Sequence, residues 1–270
     1  MNSKRAEQAL RTRVAPRGAS ATTAAPCLRL LSYNIQAGLA TRGYRDYVTG
    51  AWRYVLPTHE RSANLRHIAR TMRDYDFVAI QEADAGSLRT QQRNLVEWLA
   101  RVADFPHHGF AVTRDMGPLA QICLGFLSRV PVERYSHYPL PGPIPGRGAL
   151  EVDIQPEGLG TLTVVVTQMA LGGGARALQL RYLATRLRGR RAVVVGDFNE
   201  RRDGLQHNRA LRSAGLTPLP QPPATYPSWR PRLSLDQVLV MPGLQVVSAH
   251  AVPVALSDHL PLAVEVTAAP

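Results

Sequence analysis

The chain has 270 residues, a formal net charge of +12 at pH 7 and a pI of about 10.6. This length fits one large α/β domain or two small ones, and a chain of this size buries about three quarters of its surface without cross-links. Two cysteines, Cys27 and Cys123, are too few for a disulfide scaffold and lack the spacing of a metal site. No run of about 18 apolar residues occurs, so we expect no transmembrane segment.

The positive charge comes almost entirely from arginine, because Lys4 is the only lysine. A basic chain favours anionic partners such as nucleic acid, phospholipid headgroups or phosphorylated metabolites. Arginine binds phosphate with two parallel hydrogen bonds, but a GC-rich genome explains the same composition equally well. The charge alone therefore does not identify the partner. We expect a monomer in the cytoplasm or at the periphery of a membrane.

Residues 1–26 are basic and rich in small residues, and they lack the apolar core of a secretory signal. We predict a disordered tail there and a single domain over residues 27–270. The segment TRGYRDYVTGAWRYVLP has no clean period and is interpreted as a surface loop. Its Trp52 and Tyr54 could stack on bases, lie at a lipid interface or pack under the loop.

Hydrophobic periodicity predicts the elements in chain order. Apolar runs predict strands in CLRLLSYNI, DFVAIQEAD, LAQICLGFLSR, RGALEVDIQ, GTLTVVVTQMAL, RAVVVGDFN, LSLDQVLV, LQVVSAHAV and LPLAVEV. Helical spacing predicts helices in ERSANLRHIARTMRDY, QQRNLVEWLARVA, ARALQLRYLATRLR and DGLQHNRALRSAG, the third with Leu178, Tyr182 and Leu187 on one face. We expect His107–His108 in a solvated loop and YPLPGPIPGRG in neither a helix nor a central strand. The irregular alternation predicts an α/β domain with more than one sheet.

Polar side chains recur where the apolar runs end. An unpaired carboxylate costs several kcal/mol or more to bury, so Asp197 should lie just past its valine-rich strand. The same pattern gives Asn34, Glu82, Gln168, Asn199, Asp236, Asp258 and His259. If the strands share neighbouring sheets, these ends converge on one edge, where α/β proteins usually place active sites.

The residue types predict phosphoester chemistry. Glu82, Asp258 and Asn34 offer hard oxygen ligands, which suit Mg²⁺ or Mn²⁺. His259 can handle a proton near neutral pH, and Asp236 could fix its tautomer. In the GDFN stretch, Asp197 would align a water and Asn199 would bind a phosphate oxygen. Each residue alone is compatible with a turn or a cap, but their shared position favours a site.

The chain resembles the endonuclease/exonuclease/phosphatase superfamily, which includes deoxyribonuclease I, apurinic endonucleases, sphingomyelinases and inositol polyphosphate 5-phosphatases. The pieces SYNIQ, AIQEAD, VVVGDFNE, YPSWRPRLSLDQVLV and LSDHLPLAVEV carry the resemblance, in the family's order, over residues 28 to 266. The loop GYRDYVTGAWRYVLP is similar to that of a bacterial branch of the family. The resemblance implies a four-layer sandwich of two packed mixed β-sheets flanked by α-helices. For seven of these residues it implies the same roles as their chemistry does: Asn34, Glu82, Asp197, Asn199, Asp236, Asp258 and His259.

The chain departs from the family at Gln168, where many relatives have histidine, and at Gln237, which follows Asp236. A glutamine can donate a hydrogen bond to phosphate but cannot act as an acid or a base. Three hypotheses stay open. The first is a metal-dependent phosphodiesterase or phosphomonoesterase acting on nucleic acid or a phospholipid headgroup. The second is a catalytically impaired member that binds phosphate-bearing ligands, and the third is a basic nucleic-acid-binding protein without catalysis.

Overall fold

A computed structural model describes residues 26–41, 43 and 59–270. The predicted tail, up to residue 25, and the loop with Trp52 and Tyr54 lie outside these described residues. Within the described part, no helix is long and apolar enough to cross a membrane. Cys27 and Cys123 are both free thiols.

The first sheet has six strands. They are β1 (Cys27–Asn34), β2 (Phe77–Asp84), β3 (His107–Asp115), β4 (Gln121–Ser128), β11 (Leu244–Ala251) and β12 (Leu262–Ala268). Their order is β11-β12-β1-β2-β4-β3. Only β1 and β2 run parallel to each other within this sheet, and every other pair is antiparallel. The ends of β1 and β2 therefore open on the same edge of the sheet.

The second sheet also has six strands. They are β5 (Val132–Pro139), β6 (Gly148–Ile154), β7 (Leu162–Gln168), β8 (Ala192–Asp197), β9 (Thr217–Pro218) and β10 (Asp236–Val240). Their order is β5-β6-β7-β8-β10-β9, with β7 and β8 parallel. Asp197 at the end of β8 pairs with Asp236 at the start of the antiparallel β10. This register brings two acidic side chains to one edge.

The two sheets pack face to face, and helices cover their outer faces. The core between the sheets contains Leu30, Phe77 and Phe126 from the first sheet and Val164 and Val195 from the second. Helices α1 (His59–Met72) and α2 (Leu95–Ala103) cover the first sheet, whereas α3 (Gly173–Leu187), α4 (Arg202–Gln206) and α5 (Arg209–Ala214) cover the second. The predicted four-layer α/β sandwich is therefore confirmed.

Three strands were missed in the sequence: the two-residue β9, and the longer β3 and β5. His107 and His108 begin β3, so the expectation of a solvated loop was wrong. Strand β5 includes Tyr138 and Pro139, at the start of the segment that was expected to form neither a helix nor a central strand. Strands β3 and β5 lie at sheet edges, so each pairs with a neighbouring strand on one side only. Pro139 is tolerated there because its missing N–H removes no hydrogen bond from the middle of a sheet. Edge strands also expose polar side chains, which hides them from a search for apolar runs.

Two helix predictions also need correction. In α3 the buried stripe contains Leu180, Leu183 and Leu187, whereas Leu178 and Tyr182 are largely exposed. The predicted helix after β8 is instead the two short helices α4 and α5, separated at His207 and Asn208. The Asn208 side chain accepts hydrogen bonds from the first turn of α5, as an N-cap does, and so starts a new helix.

Candidate active site

The ends of β1 and β2 bring Asn34 and Glu82 to one edge of the first sheet. Asn34 is the last residue of β1 and is buried. Glu82 lies inside β2 at an irregularity in its pairing with β4, and its φ is 53°. A non-glycine residue in this region is strained, and such strain is concentrated at functional sites. The irregular pairing therefore sets the direction of the Glu82 carboxylate.

Gln168 joins the two sheets at this edge. It is the last residue of β7, and its Nε2 donates a hydrogen bond of 2.5 Å to Glu82 Oε1. The Gln168 side chain is buried and Glu82 is half-buried, so the contact lies at the boundary of the core. One carboxylate oxygen of Glu82 is thus held in place, while the other is available to a ligand.

Asp197 makes a second contact between the sheets. Asn34 Nδ2 donates to Asp197 Oδ2 over 3.3 Å, and the backbone N–H of Asn199 donates to Asp197 Oδ1 over 3.0 Å. The preceding Gly196 explains the local sequence, because a Cβ there would lie only 1.9 Å from the Thr167 carbonyl oxygen. Glycine therefore allows β8 to approach β7 closely at the residue before the carboxylate.

A buried pair of Asp236 and His259 lies at the same edge. His259 Nδ1 is 2.8 Å from Asp236 Oδ2, and Thr225 Oγ1 donates to the same oxygen. The ring of Tyr226 packs against the imidazole, with ring centroids 4.8 Å apart. A carboxylate on Nδ1 fixes the orientation of the ring and directs Nε2 away from Asp236. Sequence reasoning had predicted this pairing of an orienting acid with a histidine.

Asp258 is tied to the end of β1 through Ser257. Ser257 Oγ donates to the backbone carbonyl of Asn34 over 2.7 Å and lies 3.1 Å from Asp258 Oδ1. The backbone carbonyl of Asp258 accepts a hydrogen bond of 2.7 Å from Ser228 N–H. Ser257 therefore anchors this stretch to the first sheet, whereas His259, two residues later, pairs with Asp236 of the second sheet.

A sequence model of the Endonuclease/Exonuclease/phosphatase family matches residues 31–259, most of the chain. The chain belongs to this family. No curated protein matches it at a significant level.

Solved structures show the same fold. An endonuclease/exonuclease/phosphatase from Beutenbergia cavernae DSM 12333 is 21% identical with a TM-score of 0.69, over 90% of this chain and 72% of that one. The mannosyl-6-phosphatase Bt3783 of Bacteroides thetaiotaomicron VPI-5482 is 16% identical with a TM-score of 0.62, over 89% and 99% of the two chains. A humanized D. rerio TDP2 is 14% identical with a TM-score of 0.63, over 89% and 99%. These structures share the fold of this family member.

The oxygen-rich donor set at the edge of this family member suits a hard divalent cation. In the described part of the chain, no three His, Cys, Asp or Glu side chains form a metal site by themselves. The predicted set instead combines two carboxylates, Glu82 and Asp258, with the amide oxygen of Asn34, and Mg²⁺ commonly keeps several waters beside one or two carboxylates. Among the described residues, the carboxylates of Glu82, Asp197, Asp236 and Asp258 lie at this edge together with the imidazole of His259, so a cation would offset the repulsion between the carboxylates.

The electrostatics of the site couple the two sheets. Burial raises the pKa of Asp197 to about 6, together with repulsion from Asp236 and Glu82, although His259 and the Asn199 N–H act in the opposite direction. Burial opposes the charged imidazole, but Asp236, and then Asp197 and Asp258, raise the pKa of His259 well above its ordinary value. The charges of these groups therefore depend on one another, as in a coupled site.

Sequence reasoning missed the groups that support the site. Thr225 and Tyr226 belong to a proline-rich loop that carried no functional signal, and Ser257 lies before the acidic residue that drew attention. For Tyr226 the one signal was its position at the start of YPSWRPRLSLDQVLV, a segment that resembles the family, and Thr225 directly precedes that segment. The side chain of Asn199 is also held in place, because its Nδ2 donates a hydrogen bond to the Met169 carbonyl over 3.0 Å.

An apolar hollow adjoins the acidic edge. It has a volume of about 350 Å³, and Glu82 and Gln36 form part of its wall. The remaining wall is mainly apolar, with Met116, Leu119 and Ile122 contributed by β4 and the turn before it. A group bound at Glu82 therefore has space for an attached organic portion.

Proposed function

We propose that this family member is a divalent-metal-dependent phosphoester hydrolase, and more specifically a phosphodiesterase that acts on nucleic acid or on a phospholipid headgroup. The single observation that carries this proposal is the hydrogen-bonded set at one edge of both sheets. It joins Glu82 to Gln168, Asn34 to Asp197 and Asp236 to His259. Membership of the family, whose members hydrolyse phosphoesters, supports the same chemistry.

In the proposed mechanism, Glu82, Asp258 and Asn34 would hold Mg²⁺ or Mn²⁺. When bound, such an ion supplies positive charge that polarises a phosphoryl oxygen. Asp197 orients a water and accepts its proton, because its carboxylate is already fixed by Asn34 and the Asn199 N–H. His259 Nε2 stabilises the phosphate, and Asp236 on Nδ1 holds the imidazole in the required orientation. Asn199 contributes a polar group beside the phosphate.

Hydrolysis of bis(4-nitrophenyl) phosphate tests the proposal with the full chain. We expect turnover with Mg²⁺ or Mn²⁺ and none in excess EDTA. Asp197→Asn and His259→Gln should each lower kcat by about 10²- to 10⁴-fold, because each removes a positioned proton-handling or phosphate-binding group. The matched controls Asp203→Asn and His250→Gln change exposed residues and should retain activity. Equal losses in variants and controls would contradict the assigned roles.

The second candidate is a member that binds phosphate-bearing ligands with impaired catalysis. The contact between Gln168 and Glu82 favours it, because it places at the site a side chain that cannot transfer a proton. Binding of a labelled oligonucleotide or of phospholipid vesicles without turnover, even after long incubation with Mn²⁺, would support this candidate over the hydrolase.

A further inference from the structure

A second cavity lies on the outer side of the second sheet, between α4, α5 and the segment around β9. It has a volume of about 550 Å³. Arg202, Gln206 and His207 line it on one side, Arg212 on another, and Leu216 and Leu219 lie on its apolar wall. We call this cavity the Arg202 pocket. None of these residues belongs to the edge that carries Glu82 and Asp197.

Two guanidinium groups face the Arg202 pocket without an acidic partner. Arg202 and Arg212 form no ion pair with any residue that the structure describes, whereas Arg176 pairs with Glu200, and Arg186 and Arg190 pair with Glu151. Arg202 Nε is enclosed by protein and has no hydrogen-bond partner. The two arginine charges that line the pocket are therefore not neutralised by a carboxylate of the described residues, so the pocket favours an anionic occupant.

The size and walls of the Arg202 pocket indicate more than a bare anion. Guanidinium groups match the oxygens of a phosphate with two parallel hydrogen bonds. A volume of about 550 Å³ leaves space beyond one phosphate group, and the wall formed by Leu216 and Leu219 suits a flat, weakly polar body. Gln206 and His207 add hydrogen-bonding groups at the rim. A phosphate with an attached nucleoside fits this combination.

The Arg202 pocket lies a short way along the chain from the acidic edge. Arg202 is three residues after Asn199, so their Cα atoms are at most about 11 Å apart. A nucleic-acid strand rises about 3.4 Å per nucleotide, so this separation corresponds to about three nucleotides. A strand whose scissile phosphate lies at Asp197 can therefore place a neighbouring nucleotide at Arg202 within this span. A dinucleoside monophosphate cannot fill the pocket in this way, because it carries no phosphate other than the scissile one.

We propose that the Arg202 pocket binds the phosphate and nucleoside of a nucleotide that flanks the scissile phosphate. This inference deepens the proposed function and rests on it, since it identifies the substrate as a nucleic-acid strand. Arg202 and Arg212 bind the flanking phosphate and so determine specificity, without contacting the reacting atoms.

A substrate-length series tests the proposal. In the unmodified protein, kcat/KM should rise about tenfold from dithymidylate to hexathymidylate, because only the longer strand gains charged hydrogen bonds in the pocket. Arg202→Gln together with Arg212→Gln should remove this rise and leave hydrolysis of bis(4-nitrophenyl) phosphate unchanged. The control pair Arg181→Gln and Arg209→Gln removes the same charge from exposed helix positions outside the pocket and should keep the rise. The same length dependence in both double variants would overturn the proposal.

Binding without turnover separates this proposal from the proposed function. Fluorescence anisotropy with labelled hexathymidylate in EDTA should show about tenfold weaker affinity in the Arg202/Arg212 double variant. The dependence of log affinity on log salt should become less steep by about 0.7 for each phosphate that the variant no longer binds. If no phosphodiester is hydrolysed, the proposed function fails, but the anisotropy result still decides the pocket. Unchanged oligonucleotide affinity, with abolished binding to phosphatidylglycerol vesicles, would overturn the nucleotide assignment.

Discussion

At the scale of single residues, Gln168 is the position that most directly controls Glu82. Its Nε2 holds Glu82 Oε1 at 2.5 Å. Gln168→Leu keeps a side chain of similar size but removes the donor. We expect a loss of about 10- to 100-fold in Mg²⁺ affinity or in kcat/KM, because a group that orients a metal ligand has effects of this size. Mg²⁺ titration of bis(4-nitrophenyl) phosphate hydrolysis measures both quantities.

A matched control exists in the same sheet. Gln155 Nε2 donates to Glu133 Oε1 on the exposed surface, far along the strands from the acidic edge. Gln155→Leu removes an equivalent pair of groups and should leave the Mg²⁺ titration unchanged. A Gln168→Leu variant with the same titration curve as the unmodified protein would show that the glutamine does not position Glu82.

At the scale of elements, the junction of β7 and β8 depends on Gly196. Its φ is 148°, and an added Cβ would lie 1.9 Å from the Thr167 carbonyl oxygen. Gly196→Ala must therefore separate β8 from β7 and displace Gln168 from Asp197, its partner across these strands. We expect a loss of more than about 4 kcal/mol in the free energy of unfolding, or failure to fold.

Thermal or urea unfolding measures this loss against Gly172→Ala. Gly172 precedes α3 with extended backbone angles, and an added Cβ there meets no atom within 4 Å. The control should change the free energy of unfolding by less than about 1 kcal/mol, because alanine restricts the unfolded chain but is less favourable than glycine at the N-cap. A folded Gly196→Ala protein with stability near that of the control would contradict the close approach of the two strands.

Among the strands and helices, the sequence predicted the buried strands but not the edge strands β3 and β5 or the buried face of α3. Buried strands such as β7 and β8 are continuous apolar runs, so they were found from the sequence alone. Strands β3 and β5 were missed because they lie at sheet edges and mix polar with apolar side chains, without a continuous apolar run or a regular alternation. The buried face of α3 was assigned wrongly because Leu178 and Leu180 fit a helical stripe equally well, and only packing against the sheet selects the second.

The candidate site was predictable to a similar extent. An apolar strand that ends in a carboxylate or amide marks a sheet edge, and this rule placed Asn34, Gln168 and Asp197 correctly together. The rule placed Glu82 at the end of β2, but the strand continues to Asp84. The pairing of β2 with β4 is irregular between Ile80 and Ala83, and no sequence pattern predicted this irregularity. Groups donated by loops, such as Thr225, follow no period and became visible only through their contacts.

At the scale of the whole molecule, the candidate site connects the two sheets. The first sheet contributes Asn34 and Glu82, the second contributes Gln168 and Asp197, and the hydrogen bonds between them cross the opening between the layers. The core below these contacts is apolar, and hydrophobic burial does not by itself fix the relative orientation of the two sheets. The polar contacts at the edge therefore contribute to the alignment of one sheet relative to the other.

This architecture predicts that metal binding stabilises the whole fold. At a Mg²⁺ concentration of 100 times its dissociation constant, the free energy of unfolding should rise by about 2.7 kcal/mol, because the proposed ligands Glu82, Asn34 and Asp258 come from distant segments and the unfolded chain would not bind the ion. For a domain of this size the melting temperature should rise by about 5 to 10 °C relative to EDTA. Glu82→Gln should lose most of this rise, whereas Glu157→Gln, at an exposed turn, should keep it. An equal rise in both variants would place the stabilising ion elsewhere.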